Sequence, residues 1–137
     1  MQQTSLHPIL AKDCIEVCDL KICKVLLMND KQYPWLILVP DRPGLKDFDE
    51  VNSGDIAYLH ADIKKASEVL RTIYKPTKLN IAALGNMVTQ LHIHVIARFS
   101  NDKAWPNPVW GRHPPLPYND EMLENVLQGL KNNFELT

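Results

Sequence analysis

The sequence is short of several features that would point to particular classes of protein. It has three cysteines in 137 residues, Cys14, Cys18 and Cys23, an odd set without paired C-x-x-C spacing. That pattern supports neither a disulfide framework nor a structural zinc site, and it reads as reduced thiols packed in the interior. Charge of one sign is also missing: 15 basic residues face 16 acidic ones, so no net field draws nucleic acid or an anionic membrane. An anionic ligand must therefore be caught by local contacts. No apolar run approaches the roughly 20 residues that span a bilayer. The opening "MQQTSLHPILAKD" has neither a basic start nor a signal-peptide core, and the expectation is a cytoplasmic protein. Repeats, low-complexity tracts and long linkers are absent, so residues 1–137 read as a single domain.

What is present has globular proportions, 45% apolar and 23% charged, in a chain long enough to bury a core without staples. "DLKICKVLLMND" and "WLILVP", separated by the turn-forming "NDKQYP", predict an antiparallel hairpin. "DIAYLHADIKKASEVLRTIY" places Ile56, Leu59, Ile63, Ala66, Val69, Leu70 and Ile73 at helical spacing, with Ser53 or Asp55 as the cap and Pro76 as the stop. "KLNIAALG" and "TQLHIHVIARF" predict a second hairpin turned at "GNMV". The proline-rich "DKAWPNPVWGRHPPLPY" excludes regular structure, and "NDEMLENVLQGLKNNFEL" predicts an amphipathic helix started by Asn119 or Asp120. "LHPIL" is too short to interpret. The expected fold class is α+β, with an antiparallel sheet of about five strands, one long helix after the second strand and a C-terminal helix.

The chemistry concentrates in "NMVTQLHIHVIARF". On a strand, successive side chains alternate between faces, so Leu91, Ile93 and Val95 supply a core face while Gln90, His92 and His94 line the other at roughly 7 Å intervals. Three readings compete for such a row. A strand histidine is usually a surface or hydrogen-bonded residue without chemistry. H-x-H on a strand also supplies two ligands to a metal, but a catalytic zinc needs a third, which only His7, His60, His113 or unplaced carboxylates offer. The remaining reading is phosphoryl chemistry: a neutral imidazole is a competent nucleophile near pH 7, and its neighbour can donate to phosphate oxygens.

These residues resemble a known family. "QLHIHVIAR" is similar to the H-φ-H-φ-H-φ-φ signature (φ apolar) of the histidine-triad (HIT) superfamily of nucleotide hydrolases and transferases, with Gln90 in the place of the first histidine. "GNMVTQLH" resembles the glycine-amide turn before the triad strand, and "WLILVPDRP" resembles the strand that precedes the long helix. With the final helix, the resemblance runs from about Asp19 to Leu136. "WPNPVWG", Trp105 to Gly111, is similar to the segment that follows the triad in a small bacterial branch beginning with glutamine.

By this resemblance, His92 is the nucleophile that attacks a nucleoside α-phosphate and forms a nucleotidyl-histidine, which water then hydrolyses. His94 hydrogen-bonds the phosphate oxygens or leaving group, Asn86 contacts phosphate, and Asn29 holds the ribose hydroxyls. Met87 stands where many relatives place Ser or Thr against the leaving group, and Trp35 stands where many carry a further histidine. Gln90 orients the site but cannot titrate. The implied assembly is a homodimer paired edge to edge; the covalent step needs no metal and no cofactor is expected. Rival readings are a purine-nucleotide-binding or regulatory module and a metal-dependent hydrolase.

Bland roles are weighed for the remainder. Arg112 is placed to meet a phosphate and Trp105 or Trp110 to stack on a base, with packing on the sheet or at a subunit contact as the alternative for the tryptophans. Arg98 reads as a solvated strand-end charge, His60 as exposed, Lys64 and Lys65 as a solvated helix face, and Cys18 and Cys23 as small core residues.

Overall fold

A computed structural model describes residues 4–136. A short helix α1 (Pro8–Asp13) leads into strands β1 (Cys14–Asp19), β2 (Cys23–Met28) and β3 (Trp35–Pro40). A single 3-10 turn (Phe48–Glu50) precedes helix α2 (Ser53–Tyr74); strands β4 (Lys78–Ala82) and β5 (Ile93–Arg98) and helix α3 (Asp120–Glu135) complete the fold. The five strands form one sheet in the order β1-β2-β3-β5-β4, with every neighbouring pair antiparallel.

The fold is α+β, as expected, but the long helix follows the third strand rather than the second. The additional strand, β1, escapes a sequence reading because Glu16 and Asp19 interrupt its apolar pattern, as suits an edge strand with one half-wet face. The second hairpin also differs. β4 and β5 pair in register, Ile81 with Val95 and Ala82 with His94, but a ten-residue connection, 83–92, joins them instead of a tight turn at "GNMV".

Alternation sorts the sheet into two faces. Val25, Leu27, Leu36, Leu38, Ile93, Val95 and Ala97 face α2 and α3 and pack with Leu59, Ala66, Leu70, Leu130 and Phe134. Leu26, Trp35, Ile37, Val39 and Ile96 occupy the opposite face, where Leu10 of α1 and Ala104 and Val109 of the proline-rich segment cover them. β3 is therefore buried along its whole length. At about 25 cal/mol per Å² of apolar surface, two covered faces give the central strands most of the driving force for folding.

The helix ends are fixed by polar contacts that differ in detail from expectation. Asn52, not Ser53 or Asp55, caps α2 by accepting from the Asp55 amide at 2.9 Å, while the Asp55 carboxylate pairs with Arg42. Asn119 caps α3, accepting from the Met122 amide at 2.8 Å. Buried Asp62 of α2 accepts from the amides of Lys21, Ile22 and Cys23, tying the helix to the β1–β2 turn. "LHPIL" is the start of α1: the His7 imidazole accepts from the Ile9 amide at 3.1 Å, and Pro8 opens the helix, where proline's missing N–H costs nothing.

Arg98 overturns the reading of a solvated charge. It is 2% exposed. Its guanidinium donates to both carboxylate oxygens of Asp102 at 2.8 and 3.1 Å, to Asn80 Oδ1 at 2.8 Å and to the Asn107 carbonyl at 2.8 Å. The Trp105 ring lies 5.7 Å from it. Placed on the covered face by alternation, Arg98 is the peg that fastens the proline-rich segment over the sheet.

Candidate active site

The polar row is bent at its start. β5 begins at Ile93, so Gln90 and His92 lie on the connection that feeds the strand and only His94 lies within it. The two imidazoles still meet, with centroids 5.0 Å apart and planes at 67°, and both are buried, His92 at 6% and His94 at 4% exposure.

Hydrogen-bond chemistry determines which nitrogen carries the proton on each ring. His92 Nδ1 lies 2.7 Å from the backbone carbonyl oxygen of Gln90. A carbonyl only accepts, so His92 Nδ1 is the donor and its Nε2 bears a free lone pair in the neutral ring. His94 Nδ1 lies 3.0 Å from the indole Nε1 of Trp35, which only donates. His94 Nδ1 therefore accepts, and its Nε2 carries the hydrogen. Burial, reinforced by the neighbouring His92, lowers the pKa of His94 to about 4, so this ring stays neutral across the physiological range. The result is one lone pair and one N–H donor on adjacent rings.

Around them, Trp35 packs against His94 at a tilt of 57° and Trp110 edge-on at 79°, with centroids at 5.7 and 5.2 Å. A cavity of about 390 Å³ opens beside His94 and is lined by Lys12, Asp13, Asn29, Trp35, Trp110 and His113 among others. A smaller hollow of about 250 Å³ opens beside His92, between the 46–49 turn and Ala83, Leu84 and Gly85. Trp110 Nε1 and His113 Nδ1 are buried and have no hydrogen-bond partner among the described residues.

The other candidates are distributed around this centre. Asn29 lines the larger cavity, and its Oδ1 accepts from the Tyr118 amide at 3.0 Å, anchoring the chain that leaves the proline-rich segment. Asn86 and Met87 stand on the 83–92 connection, both exposed, Met87 at 87%. Arg112 is exposed and lies outside the lining of the His94 cavity, which its neighbours Gly111 and His113 enter. The Gln90 side chain turns away from both hollows to the chain near Ser5 and His7. Sequence reasoning missed Lys12 and Asp13, which reach the cavity through α1; the His7-Pro8 start signal was the one available clue.

Among the described residues, no group of three His, Cys, Asp or Glu side chains gathers to hold a metal. The thiols lie elsewhere: burial first, then nearby carboxylates, pushes Cys14 up to about 12 and Cys18 up to about 11, and raises Cys23 as well. No helix among the described residues is long and apolar enough to cross a membrane.

An antiparallel sheet with the two long helices on one face and a buried histidine pair toward the other defines a small α+β protein with a candidate imidazole-based site. The HIT domain family model matches residues 11–101, more than half of the chain, and the protein belongs to the HIT family. Solved structures agree. A histidine triad protein from Bradyrhizobium japonicum is 44% identical with a TM-score of 0.92, covering 95% of this chain and 97% of its own. One from Marinobacter aquaeolei is 41% identical, TM-score 0.93, covering 97% of each chain, and one from Sinorhizobium meliloti is 39% identical, TM-score 0.91, covering 94% and 96%. No curated protein matches. The family binds nucleotides and consists generally of hydrolases and transferases.

Proposed function

We propose that this protein cleaves a phosphoramidate, phosphoanhydride or related bond at a nucleoside α-phosphate through a nucleotidyl-histidine on His92. The observation that carries this reading is the opposite tautomers of the two rings, a lone pair on His92 Nε2 beside an N–H on His94 Nε2. His92 Nε2 attacks the α-phosphorus; the bond to the leaving group breaks, and the leaving group departs with its electron pair and is protonated from solvent. The nucleotidylated ring is a cation, and the Gln90 carbonyl that accepts its Nδ1–H at 2.7 Å stabilises that charge. His94 Nε2–H donates to a phosphate oxygen as charge develops there. Water then attacks phosphorus, the P–N bond breaks, and the nucleoside monophosphate and a proton are released.

In this reading the nucleoside sits in the cavity of about 390 Å³, within the usual size range of small-molecule sites, with Asn29 beside the ribose and Trp110 beside the base. Asn86 and Met87 meet the phosphate and leaving group from the connection, and Arg112 meets the outer phosphates. The free edge of β4, where Ile81 is 48% exposed, is the surface for pairing with a second copy. Light scattering of the purified protein tests that dimer.

The burial of both rings also favours a second reading, purine-nucleotide binding without turnover. One experiment separates the two. Quench into alkaline denaturant, in which a P–N adduct survives, of the protein with α-phosphate-labelled adenosine phosphoramidate should trap a covalent adenylyl adduct in the wild type and none in His92→Ala, whose turnover should fall at least about a thousandfold. Wild-type turnover by His92→Ala would overturn the nucleophile; nucleotide binding with no turnover by the wild type would favour the binding module.

A further inference from the structure

We infer that Gln90 is a positioning residue that builds one wall of the candidate nucleotide cavity, rather than a phosphate contact that replaces a histidine. The side-chain amide of Gln90 accepts from the His7 amide N–H at 2.7 Å through Oε1 and donates to the Ser5 carbonyl at 3.0 Å through Nε2. These partners are 83 and 85 residues away in the chain. In an extended segment, the C=O of one residue and the N–H of the residue two further on point the same way, so an amide with its acceptor and donor side by side pairs with both as a neighbouring strand would.

A neutral imidazole also has one acceptor and one donor, but its two nitrogens point in diverging directions and cannot meet both groups on one edge. Glutamine in this place therefore has a structural reason of its own.

The clasp reaches the cavity through a short covalent path. His7 caps α1, Leu10 of α1 packs on the covered sheet face, and Lys12 and Asp13 at its end line the cavity with Asn29 and His94. The Asp13 carbonyl accepts from the Asn29 amide at 3.0 Å, closing the far end of the wall onto β2. The same residue also faces the nucleophile: the main-chain carbonyl of Gln90 accepts from His92 Nδ1. Gln90 thus holds the histidine through its backbone and the opposing wall through its side chain.

The substrate-binding part of this inference rests on the proposed nucleotide reading; the clasp itself does not, and the test reads the two separately. Hydrogen exchange of amides in α1 reports the clasp, and titration with AMP, followed by tryptophan fluorescence, reports the cavity. Three variants are compared with the wild type. Gln90→Ala removes both bonds, Gln90→His installs the family's usual residue, and His7→Pro removes only the N–H partner from the backbone, since φ at His7 is −54°, within proline's range. His7→Ala controls for the lost helix cap.

The expected result is that Gln90→Ala, Gln90→His and His7→Pro each accelerate exchange in α1 and weaken AMP binding about tenfold, as loss of a part-buried hydrogen bond, with or without its exposed neighbour, should. His7→Ala should do less, and Gln90→Ala combined with His7→Pro should be no worse than Gln90→Ala alone. In His7→Pro, with a turning-over substrate, KM should rise about tenfold while the single-turnover rate at saturation changes less than about threefold. Unchanged α1 exchange in Gln90→Ala would overturn the clasp. Wild-type AMP affinity in His7→Pro beside a defect in Gln90→Ala, or a gain of activity in Gln90→His, would overturn it in favour of direct phosphate contact. Failure of the wild type to bind AMP at all, with α1 exchange still responding, would refute the nucleotide reading and leave the clasp standing.

Discussion

Replacing Trp35 by Phe removes a single hydrogen bond that the site depends on for its proton arrangement. The indole Nε1–H is the partner of His94 Nδ1 at 3.0 Å, and both groups are buried. Burial, then the proximity of His92, already holds His94 at about 4 instead of 6.5. The Trp35 bond adds to that preference, because donating to the Nδ1 lone pair stabilises the neutral ring and is lost when Nδ1 is protonated. Without it, Nδ1 is free to take a proton, and the His94 pKa should rise by about one unit, equivalent to about 1.4 kcal/mol. The sign of the stability change follows from linkage. His94 is depressed when folded, so the unfolded chain binds the proton first and stability falls as pH drops from about 6.5 towards 4, by about 3 kcal/mol in the wild type from this group. In Trp35→Phe that acid loss should shrink to about 2 kcal/mol, while stability at pH 8 falls by about 1–3 kcal/mol from the lost bond and volume. NMR titration of the His94 ring, with urea unfolding at pH 8 and pH 4, measures both quantities. A His94 pKa that stays near 4 in the variant would show that the indole does not govern the tautomer.

Two further perturbations test other parts of the structure. Arg98→Met should destabilise by about 3–5 kcal/mol, read by urea unfolding, because it leaves Asp102, Asn80 and the Asn107 carbonyl without their buried cationic partner. The same change should free the proline-rich segment, seen as faster proteolysis between Ser100 and Pro117. The native thiols should resist a thiol reagent at pH 8, where raised pKa values keep Cys14 and Cys18 protonated, and should react fully once urea unfolds the chain. Rapid reaction of the native protein would show that the cysteines are less protected than their burial implies.

Much of the fold was legible because local patterns and tertiary packing agree. "WLILVP" is apolar at every position and proves to be a central strand covered on both faces, while α2 and α3 follow their helical periodicity. Disagreements arose where a residue's role depends on distant partners. Arg98 looks like a strand-end charge until Asp102, Asn80 and Asn107 surround it. β1 alternates too weakly to be seen alone and exists because β2 supplies its hydrogen bonds. The turn expected at "GNMV" became a longer connection because pairing with β4 starts only at His94.

The sequence by itself determined the alternating row that presents His94 and Ile96 on one face and Ile93 and Val95 on the other, since the two-residue period of a strand needs no other information. It also determined that an amide and not an imidazole stands at position 90. Only the tertiary structure decided what those groups do. The proton on each ring depends on a carbonyl two residues away and an indole 59 residues away, and the Gln90 amide is spent on a segment more than 80 residues earlier. Hydrogen bonds depend on distance and direction in space, and sequence separation fixes neither, so the tautomers and the clasp exist only once β3, β5 and α1 have packed together.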